Sequence, residues 1–467
     1  MSEADVRALL DGLEERALIE YVTTQRWFGS KAREVTHATV VDAAFVRTVE
    51  PLLATVLVEL RFQPGTHESY QLLLGLRRAA EGWGEGVIAQ LGEWTVYDAP
   101  ADPTLARELV HSIRSGRHRA AGEGTFEFHT VEGSADLGRE LREARPIPTE
   151  QSNTSLVFDE ELILKAFRRL EPGINPELEL LRFLTARGFP NIAALGGWYA
   201  YRGRPMDATL GVLQRFVPGA QDGWELALEE LAQAPDRFVG RLRRLGEVTG
   251  AMHTALASDG SDPNFSPEDP STEALGLLTA TIDEEIEQIW VRLPDHPALA
   301  PIAGRGEEVR DRLRLLSHVG TAGRVIRNHG DYHLGQTLWA AGDWVILDFE
   351  GEPARSISER RRKRSPLRDV AGMLRSFAYA ASAARILRGV EPPEGWEERA
   401  REEFVGGYLD TVDSALVPSG RAAVERLLAV FELEKAVYEL RYELNSRPDW
   451  VEIPVAGIER LLGRPLE

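Results

Sequence analysis

The periodicity of apolar residues changes once along the chain, and that change constrains the fold more than any other feature. Before Pro218-Gly219 the apolar runs are short and several alternate, as Val56, Val58 and Leu60 do. After it, apolar residues recur every three or four positions over long stretches, which is typical of amphipathic helices. The sequence therefore predicts a strand-rich first part followed by a mainly helical second part.

The individual elements follow from the same patterns. In the first part we expect helices near 4–22, 103–115 and 176–187, and strands near 38–46, 53–62, 70–76, 124–131, 154–158, 161–167 and 208–216. In the second part we expect helices near 224–234, 236–257, 276–293, 304–318 and 366–387 and from 395 onward, interrupted by paired strands near 324–327 and 344–349. The predicted domains are a cap (1–95), a small mixed lobe (96–217) and a helical lobe (218–467).

Composition excludes several classes of protein. The 467 residues contain 54 Lys plus Arg against 74 Asp plus Glu, so a net charge of −20 argues against general nucleic-acid or anionic-membrane binding. The chain has no cysteine, which excludes disulfides, thiolate zinc sites and cysteine nucleophiles. The first residues do not have the pattern of a secretory signal, and no apolar run of about 18 residues could span a bilayer. We expect a cytoplasmic location.

The residues most indicative of chemistry lie in two neighbouring segments, His329 to Gln336 and Val345 to Glu350. In them, Asp331 precedes an amide by five residues, and Asp348 ends an apolar run twelve residues after that amide. Phosphoryl transfer needs a carboxylate that accepts a hydroxyl proton and hard oxygen ligands for Mg²⁺. The pattern resembles the catalytic loop and metal-binding strand of kinase-like phosphotransferases, with Gln336 in place of the usual Asn and Asp-Phe-Glu in place of Asp-Phe-Gly.

The same loop allows a second interpretation. His329 and His333 are four residues apart with Asp331 between them, so a metallohydrolase is conceivable. That interpretation explains neither Gln336 nor the following strand, and two glycines argue against a helix here. For His329 we expect a structural role, in which its ring holds the loop by hydrogen bonds to the backbone.

A lysine inside an apolar strand is the second signal. The run Leu162 to Phe167 would bury Lys165, and an ammonium that leaves water needs a partner. Glu177 opens the following helix and is the predicted partner, with Glu179 as the alternative. In kinases such an ion pair positions the α- and β-phosphates of the nucleotide.

Two polar segments occupy the positions of other nucleotide contacts. Residues 150–155 lie where a loop would cover the phosphates, and residues 214–218 lie where a hinge between lobes would offer backbone groups to adenine. The residues predicted to contact the nucleotide in these segments are Ser152, Asn153, Thr154, Arg215 and Val217. A basic run at 360–364 is either a solvated surface or a phosphate contact.

Longer stretches of the chain resemble bacterial maltokinases, enzymes that use ATP to phosphorylate maltose at its anomeric hydroxyl for α-glucan synthesis. The resemblance includes residues 25–31 in the cap, 168–176 after the lysine strand, 329–336, 348–353, 366–377, 434–439 and 447–450. It implies an α+β, bilobal, protein-kinase-like fold with an extra N-terminal α/β cap and a large helical C-terminal lobe. It implies ATP and Mg²⁺ as cofactors and a small sugar as partner, and it suggests association with trehalose or α-glucan pathway enzymes.

The resemblance also implies roles for single residues. Asp331 would be the catalytic base, Gln336 and Asp348 the Mg²⁺ ligands, and Lys165 a phosphate contact. Glu350 would contact metal or sugar. The other predicted sugar contacts are His333, Lys435, Tyr438, Glu439, Tyr442 and Trp450, and Trp27 and Phe28 are expected to be packing residues. The related glucosamine kinases leave the sugar open between maltose and glucosamine, and a pseudokinase remains the non-enzymatic alternative.

Overall fold

The computed structural model describes residues 10, 12–63, 65–131, 140–147, 152–271, 284, 286–287, 297–314, 323–353 and 355–463. The chain divides into two compact units. The first contains residues 1–185 and 193–218, and the second contains residues 186–192 and 219–467. Most of the expected helix near 276–293, except residues 284 and 286–287, and the first residues of the helix near 4–22 lie outside the described residues.

The first unit begins with an antiparallel sheet that confirms the strands expected in the cap. Its strands are β1 (Val35–Arg47), β2 (Leu52–Phe62), β3 (Thr66–Arg78), β4 (Val87–Leu91) and β5 (Trp94–Asp98), in the order β1-β2-β3-β5-β4. Helix α1 (Glu15–Thr24) precedes it. Phe28 stacks on Phe62 with ring centroids 6.3 Å apart, and Trp27 packs against Tyr70 at 5.8 Å. Trp27 and Phe28 are therefore core residues, as expected.

A seven-stranded antiparallel sheet forms the rest of the first unit. Its strands are β6 (His118–Ala120), β7 (Gly124–Thr130), β8 (Ala144–Pro146), β9 (Asn153–Phe158), β10 (Leu162–Phe167), β12 (Leu195–Gly203) and β13 (Ala208–Arg215), in the order β6-β7-β12-β13-β10-β9-β8. The short β11 (Arg169–Leu170) pairs with β3 and so joins the two sheets. Helix α2 (Pro103–Arg114) begins at Asp102, whose side chain accepts the Thr104 amide, and α3 (Pro176–Ala186) follows β11. Strands β4 to β6, β8 and β12 have weak sequence patterns and were not expected.

The second unit is mainly helical, as the change in periodicity predicts. Its helices are α4 (Gly223–Gln233), α5 (Pro235–Leu256), α6 (Gly306–Arg314), α7 (Ile357–Arg360), α8 (Leu367–Arg388), α9 (Trp396–Thr411), α10 (Arg421–Ser446) and α11 (Glu452–Gly463). Helix α8 is buried over most of its length. Among the described residues, no helix combines the length and apolar character needed to cross a membrane.

A small sheet in the second unit corrects one prediction. Strands β14 (Gln221–Asp222), β15 (Thr337–Ala340) and β16 (Asp343–Ile346) form it, and β15 and β16 are joined by a two-residue turn. The expected pairing of 324–327 with 344–349 is wrong, because Ile326 instead bridges Arg364. The four residues of β15 follow directly after the polar loop and are too few to show a clear alternation.

Candidate active site

The loop predicted to be catalytic is held by its backbone. In the second unit, the carboxylate of Asp369 on α8 accepts the amides of His329 at 2.8 Å and Gly330 at 2.9 Å. It also accepts Nε2 of His253 at 3.1 Å. Gly372 lies one turn further along α8, where a Cβ atom would be 2.7 Å from the carbonyl oxygen of Tyr332. Glycine therefore allows the helix to approach the loop this closely.

His329 has the structural role expected of it. Its Nε2 donates to the carbonyl oxygen of Leu347 at 2.8 Å, and its Nδ1 is 3.4 Å from the amide of Asp331. The ring thus links the loop to the segment after β16. Both ring nitrogens contact the backbone, which also argues against a role for His329 as a ligand of a transition metal.

Asp331 follows His329 by two residues in the loop and lies next to a lysine of α10. Nζ of Lys435 donates to Oδ1 of Asp331 at 3.2 Å. Burial raises the pKa of Asp331, but the charge of Lys435, followed by those of His333 and His329, outweighs it and holds the pKa below its usual value. Burial lowers the pKa of Lys435, and Asp331, Glu439 and Glu352 raise it above its ordinary value. Asp331 is therefore ionised and Lys435 charged at neutral pH.

The two predicted metal ligands lie side by side. Nε2 of Gln336 donates to Oδ2 of Asp348 at 3.1 Å, and the amide of Leu347 donates to the carbonyl oxygen of Gln336 at 2.9 Å. Because a carboxylate only accepts hydrogen bonds, the side-chain amide of Gln336 must present its nitrogen to Asp348. Its side-chain oxygen then remains available to a cation. This pair of oxygen donors fits a hard ion such as Mg²⁺.

The backbone at Asp348 is strained. Among the described residues, four that are not glycine have a positive φ. Asp159, Glu160 and Ala341 lie in the tight turns of two hairpins, whereas Asp348 follows β16 with a φ of +58°. Such a conformation costs roughly 1 kcal/mol and is often found at functional sites. Of these four residues, Asp348 is thus the one whose positive φ is not explained by a hairpin turn.

The predicted lysine pair is present in the first unit. Lys165 on β10 has its Nζ 2.9 Å from Oε2 of Glu177 on α3, and both side chains are buried. The structure thus selects Glu177 over Glu179. The Glu177 amide donates to Oδ1 of Asn175 at 2.8 Å, which fixes the first turn of α3. The sequence signal was the lysine within an apolar run, because burial of an ammonium requires a counter-charge.

The other predicted nucleotide contacts lie at the ends of strands. Asn153 and Thr154 are the first residues of β9, and Ser152 precedes them on the surface. The hydroxyl of Thr154 accepts a hydrogen bond from Nε of buried Arg168 at 2.8 Å, so this hydroxyl stabilises the fold. Residues 150 and 151 of the predicted phosphate-covering loop lie outside the described residues.

The predicted adenine-binding segment follows β13. Arg215 ends β13, and its amide donates to the carbonyl oxygen of Ala194 at 2.9 Å. Val217 lies two residues further on. Within the described part of the chain, neither its N–H nor its C=O makes a hydrogen bond. The predicted contact of Val217 with adenine stays a prediction.

A solvent-open cavity adjoins Asp331 in the second unit, and many of the side chains that line it are charged. Of the predicted sugar contacts, Lys435 and Tyr438 line it. Its wall also contains residues that we did not predict, including Glu352, Arg355, Arg364, Arg368 and Asp369. The basic run was a partial signal for Arg360 and Arg364, and the remaining residues have no distinctive spacing.

The other predicted sugar contacts are not among the residues that line this cavity. Glu439 accepts Nε and Nη2 of buried Arg375 at 3.0 and 2.7 Å. Tyr442 is about half exposed, with the guanidinium of Arg447 over its ring at 5.4 Å. Trp450 stacks on Tyr379, with centroids 6.3 Å apart.

His333 and Glu350 lie near the loop. The ring of His333 caps the short helical turn at Leu334–Gln336 by accepting the Gly335 amide, and its Nε2 is 4.0 Å from Oδ2 of Asp331. Burial, the largest influence, lowers the pKa of His333 below its usual value. The backbone carbonyl of Glu350 accepts Arg360 at 3.1 Å. Their predicted contacts with the sugar or metal stay predictions.

Two family models match this chain. Residues 21–102 match the maltokinase N-terminal cap domain, and residues 143–399 match the phosphotransferase enzyme family. A solved structure of a glucosamine kinase in complex with glucosamine, ADP and inorganic phosphate has a TM-score of 0.70 at 20% identity, and the match covers 95% of this chain and 98% of that one. These matches confirm the resemblance and the fold class expected from the sequence.

Two curated relatives are also similar over most of their length. A glucosamine kinase from Streptacidiphilus jiangxiensis is 26% identical over 416 residues, which are 83% of this chain and 90% of the relative. A glucosamine kinase from Mycolicibacterium smegmatis is 27% identical over 338 residues, which are 69% of this chain and 80% of the relative.

Proposed function

The chain belongs to the phosphotransferase enzyme family, and we propose that it is an ATP- and Mg²⁺-dependent sugar kinase whose acceptor is maltose. The observation that carries the proposal is the contact of Asp331 with Lys435 at the wall of the cavity. An ionised carboxylate there can accept the proton of a bound hydroxyl as the phosphoryl group is transferred. The ammonium of Lys435 keeps Asp331 ionised and can donate to a neighbouring sugar oxygen.

On the nucleotide side, the first unit supplies the ion pair of Lys165 and Glu177. The buried carboxylate of Glu177 holds the ammonium of Lys165 in one position. The ammonium is therefore pre-organised to contact phosphate oxygens. The unpaired main-chain groups of Val217 would pair with adenine. Gln336 and Asp348 would hold Mg²⁺, and this ion, when bound, neutralises charge on the phosphates of the nucleotide.

The charges around α10 favour a neutral sugar. An amino sugar carries an ammonium group that would need a carboxylate, and Glu439 and Glu443 are the carboxylates of α10 next in sequence to Tyr438 and Tyr442. In the structure Glu439 is paired with Arg375, and Glu443 accepts Nη2 of Arg447 at 2.7 Å. A carboxylate already paired with a guanidinium has little attraction left for a second cation. The match of residues 21–102 to the maltokinase cap also supports maltose.

The decisive experiment compares maltose, glucose and glucosamine as acceptors in one ATP-dependent assay. We expect maltose to have the highest kcat/KM, and NMR of the product should show phosphorus coupled to the anomeric proton. Asp331→Asn should keep the fold but reduce kcat by at least about 100-fold, because general-base catalysis contributes that much. A preference for glucosamine would overturn the maltose assignment, and turnover by Asp331→Asn close to wild type would remove Asp331 from the role of base.

Glucosamine is the second candidate. The observation in its favour is that the two curated relatives are glucosamine kinases. Under this alternative the amino group would need a carboxylate of the cavity wall, such as Glu352 or Glu434, which are paired with Arg355 and Arg368. The acceptor comparison above separates the two candidates directly.

A further inference from the structure

Among the described residues, one cationic side chain of the cavity beside Asp331 makes neither a hydrogen bond nor an ion pair. Five cationic side chains line it: Arg355, Arg360, Arg364, Arg368 and Lys435. Four of these have a partner. Nε of Arg355 is 2.6 Å from Glu352, Arg368 pairs with Glu434, Lys435 pairs with Asp331, and Arg360 donates to the carbonyl oxygen of Glu350. Arg364 is the exception.

The remaining acidic residues of the cavity do not neutralise Arg364. Asp369 is occupied by the loop amides and His253, and Glu359 makes a capping box with Ser356 at the start of α7. In the part of the chain that the structure describes, the guanidinium of Arg364 makes no hydrogen bond or ion pair. It is nevertheless partly buried, and a guanidinium that leaves water without a counter-ion is unfavourable.

The position of Arg364 is fixed by its backbone and not by its charge. Its amide donates to the carbonyl oxygen of Ile326 at 3.0 Å, and its carbonyl accepts the Ile326 amide at 2.8 Å. Burial, followed by the charges of Arg368 and Arg355, lowers the pKa of Arg364 to about 10. The charges of Glu434 and Glu352 offset only part of this, so Arg364 remains charged at neutral pH in a surrounding that disfavours its charge.

We propose that Arg364, flanked by Arg355 and Arg368, forms a subsite for a phosphate group in the cavity next to Asp331. A guanidinium presents paired N–H donors that match two phosphate oxygens, and a charge-assisted pair of this kind is among the stronger polar contacts. The phosphate can belong to free phosphate or to a phosphorylated sugar. The subsite deepens the proposed function and rests on it in one respect, since the phosphorylated sugar that the reaction forms is one of the two candidate occupants.

Calorimetric titration with inorganic phosphate, at constant ionic strength and without nucleotide, tests the subsite. We expect the wild type to bind phosphate and Arg364→Gln to bind it at least tenfold more weakly. Arg362→Gln is the matched control, because Arg362 belongs to the same basic run but is exposed and does not line the cavity, and its affinity should stay within twofold of wild type. Equal affinity of wild type and Arg364→Gln, or no binding by the wild type at millimolar phosphate, would overturn the proposal.

Thermal unfolding provides a second measurement. Phosphate should raise the Tm of the wild type and of Arg362→Gln but not that of Arg364→Gln. In the absence of phosphate, Arg364→Gln should be at least as stable as the wild type, because it removes a repelled charge. A lower Tm for Arg364→Gln would show that its charge is satisfied within the protein, and that would contradict the subsite.

A titration with glucose 1-phosphate distinguishes the two sources of the phosphate. If the ester binds more tightly than inorganic phosphate and loses that advantage in Arg364→Gln, the occupant is a phosphorylated sugar. If both bind equally and both depend on Arg364, it is free phosphate. Neither titration requires turnover, so the subsite and the kinase assignment can fail independently.

Discussion

The carboxylate of Asp369 accepts the backbone amide of His329 at 2.8 Å, although the two residues are 40 positions apart in the chain. It also accepts the Gly330 amide, so one buried side chain on α8 orients two consecutive peptides just before Asp331. Burial raises the pKa of Asp369, but the contacts with His253, His329 and Gly330 outweigh it, so its pKa lies below the usual value. We therefore propose that Asp369 positions Asp331 through the backbone of the loop.

Asp369→Asn should lower kcat by about tenfold or more while changing both KM values little, because an amide can satisfy only one of the two backbone amides as an acceptor. Steady-state kinetics, with the concentration of each substrate varied in turn, measures kcat and both KM values. Asp236→Asn makes the same chemical change at a side chain that is 87% exposed and should have wild-type kinetics. If kcat stays at the wild-type value in a folded Asp369→Asn enzyme, Asp369 does not position the loop.

Lys435→Met should shift the pH dependence of kcat. The base must be ionised, so activity is lost as pH falls through the pKa of Asp331. Lys435 lowers that pKa, and removal of its charge should therefore raise it and move the acidic limb of the profile to higher pH. Lys363→Met removes a lysine that pairs with Glu268 instead, and its profile should match the wild type. An unshifted limb in Lys435→Met would mean that the lysine does not act on the base.

Lys165→Met should impair the use of ATP and leave sugar binding nearly unchanged. We expect kcat/KM for ATP to fall by roughly 100-fold or more, since one charged contact to a transferring phosphate contributes on that order. Glu177→Gln should have a smaller effect of the same kind, because it removes only the group that holds the ammonium in place. Glu179→Gln is the control and should behave as wild type. A loss of sugar affinity with ATP affinity unchanged would contradict the assignment of Lys165 to the nucleotide.

Asp348→Asn should remove the dependence of ATP binding on Mg²⁺. Asparagine tolerates the positive φ at this position, so the backbone is kept while the negative charge is lost. Calorimetry with ATP in the presence and absence of Mg²⁺ should show a difference for the wild type and almost none for the variant. Gln336→Asn restores the residue usual in kinases and should retain Mg²⁺-dependent binding. Mg²⁺-dependent binding of wild-type strength in Asp348→Asn would show that the ion is held elsewhere.

The two tyrosines of α10 should respond differently to sugars of different length. Tyr438 lines the cavity, so Tyr438→Ala should raise the KM of any acceptor sugar without changing the KM of ATP. Tyr442 lies one helical turn further, about 6 Å along the axis, which is the scale of one sugar ring. Tyr442→Ala should therefore raise the KM of maltose and not that of glucose. If Tyr442→Ala affects both sugars equally, a second ring does not reach it.

The division of the fold and the Lys165–Glu177 pair could be predicted because both depend on local patterns. A change of apolar period and a charge within an apolar run are visible in a single sequence. The cavity wall could not be predicted in the same way. Asp369 contacts the loop only through tertiary packing, and nothing in its spacing indicates this contact. The basic run at 360–364 left open whether Arg364 faces solvent or a phosphate.

The predicted acidic sugar ligand on α10 illustrates a further limit. Spacing of four residues correctly places Lys435 and Glu439 close together on the helix. It does not reveal that Arg375, on another helix, forms an ion pair with the carboxylate of Glu439. Which of several carboxylates on one face is left to bind a ligand depends on their long-range partners, and these are decided by the packing of α8 against α10.

The positive φ of Asp348 has a consequence for protein engineering. Glycine adopts this conformation without penalty, so a chain with glycine at position 348 should fold at least as readily as the natural one. A thermostability screen that does not also measure turnover would accept that replacement and lose the carboxylate that we propose as a Mg²⁺ ligand. Libraries built on this scaffold should therefore hold position 348 constant, since here selection for stability and selection for activity favour different residues.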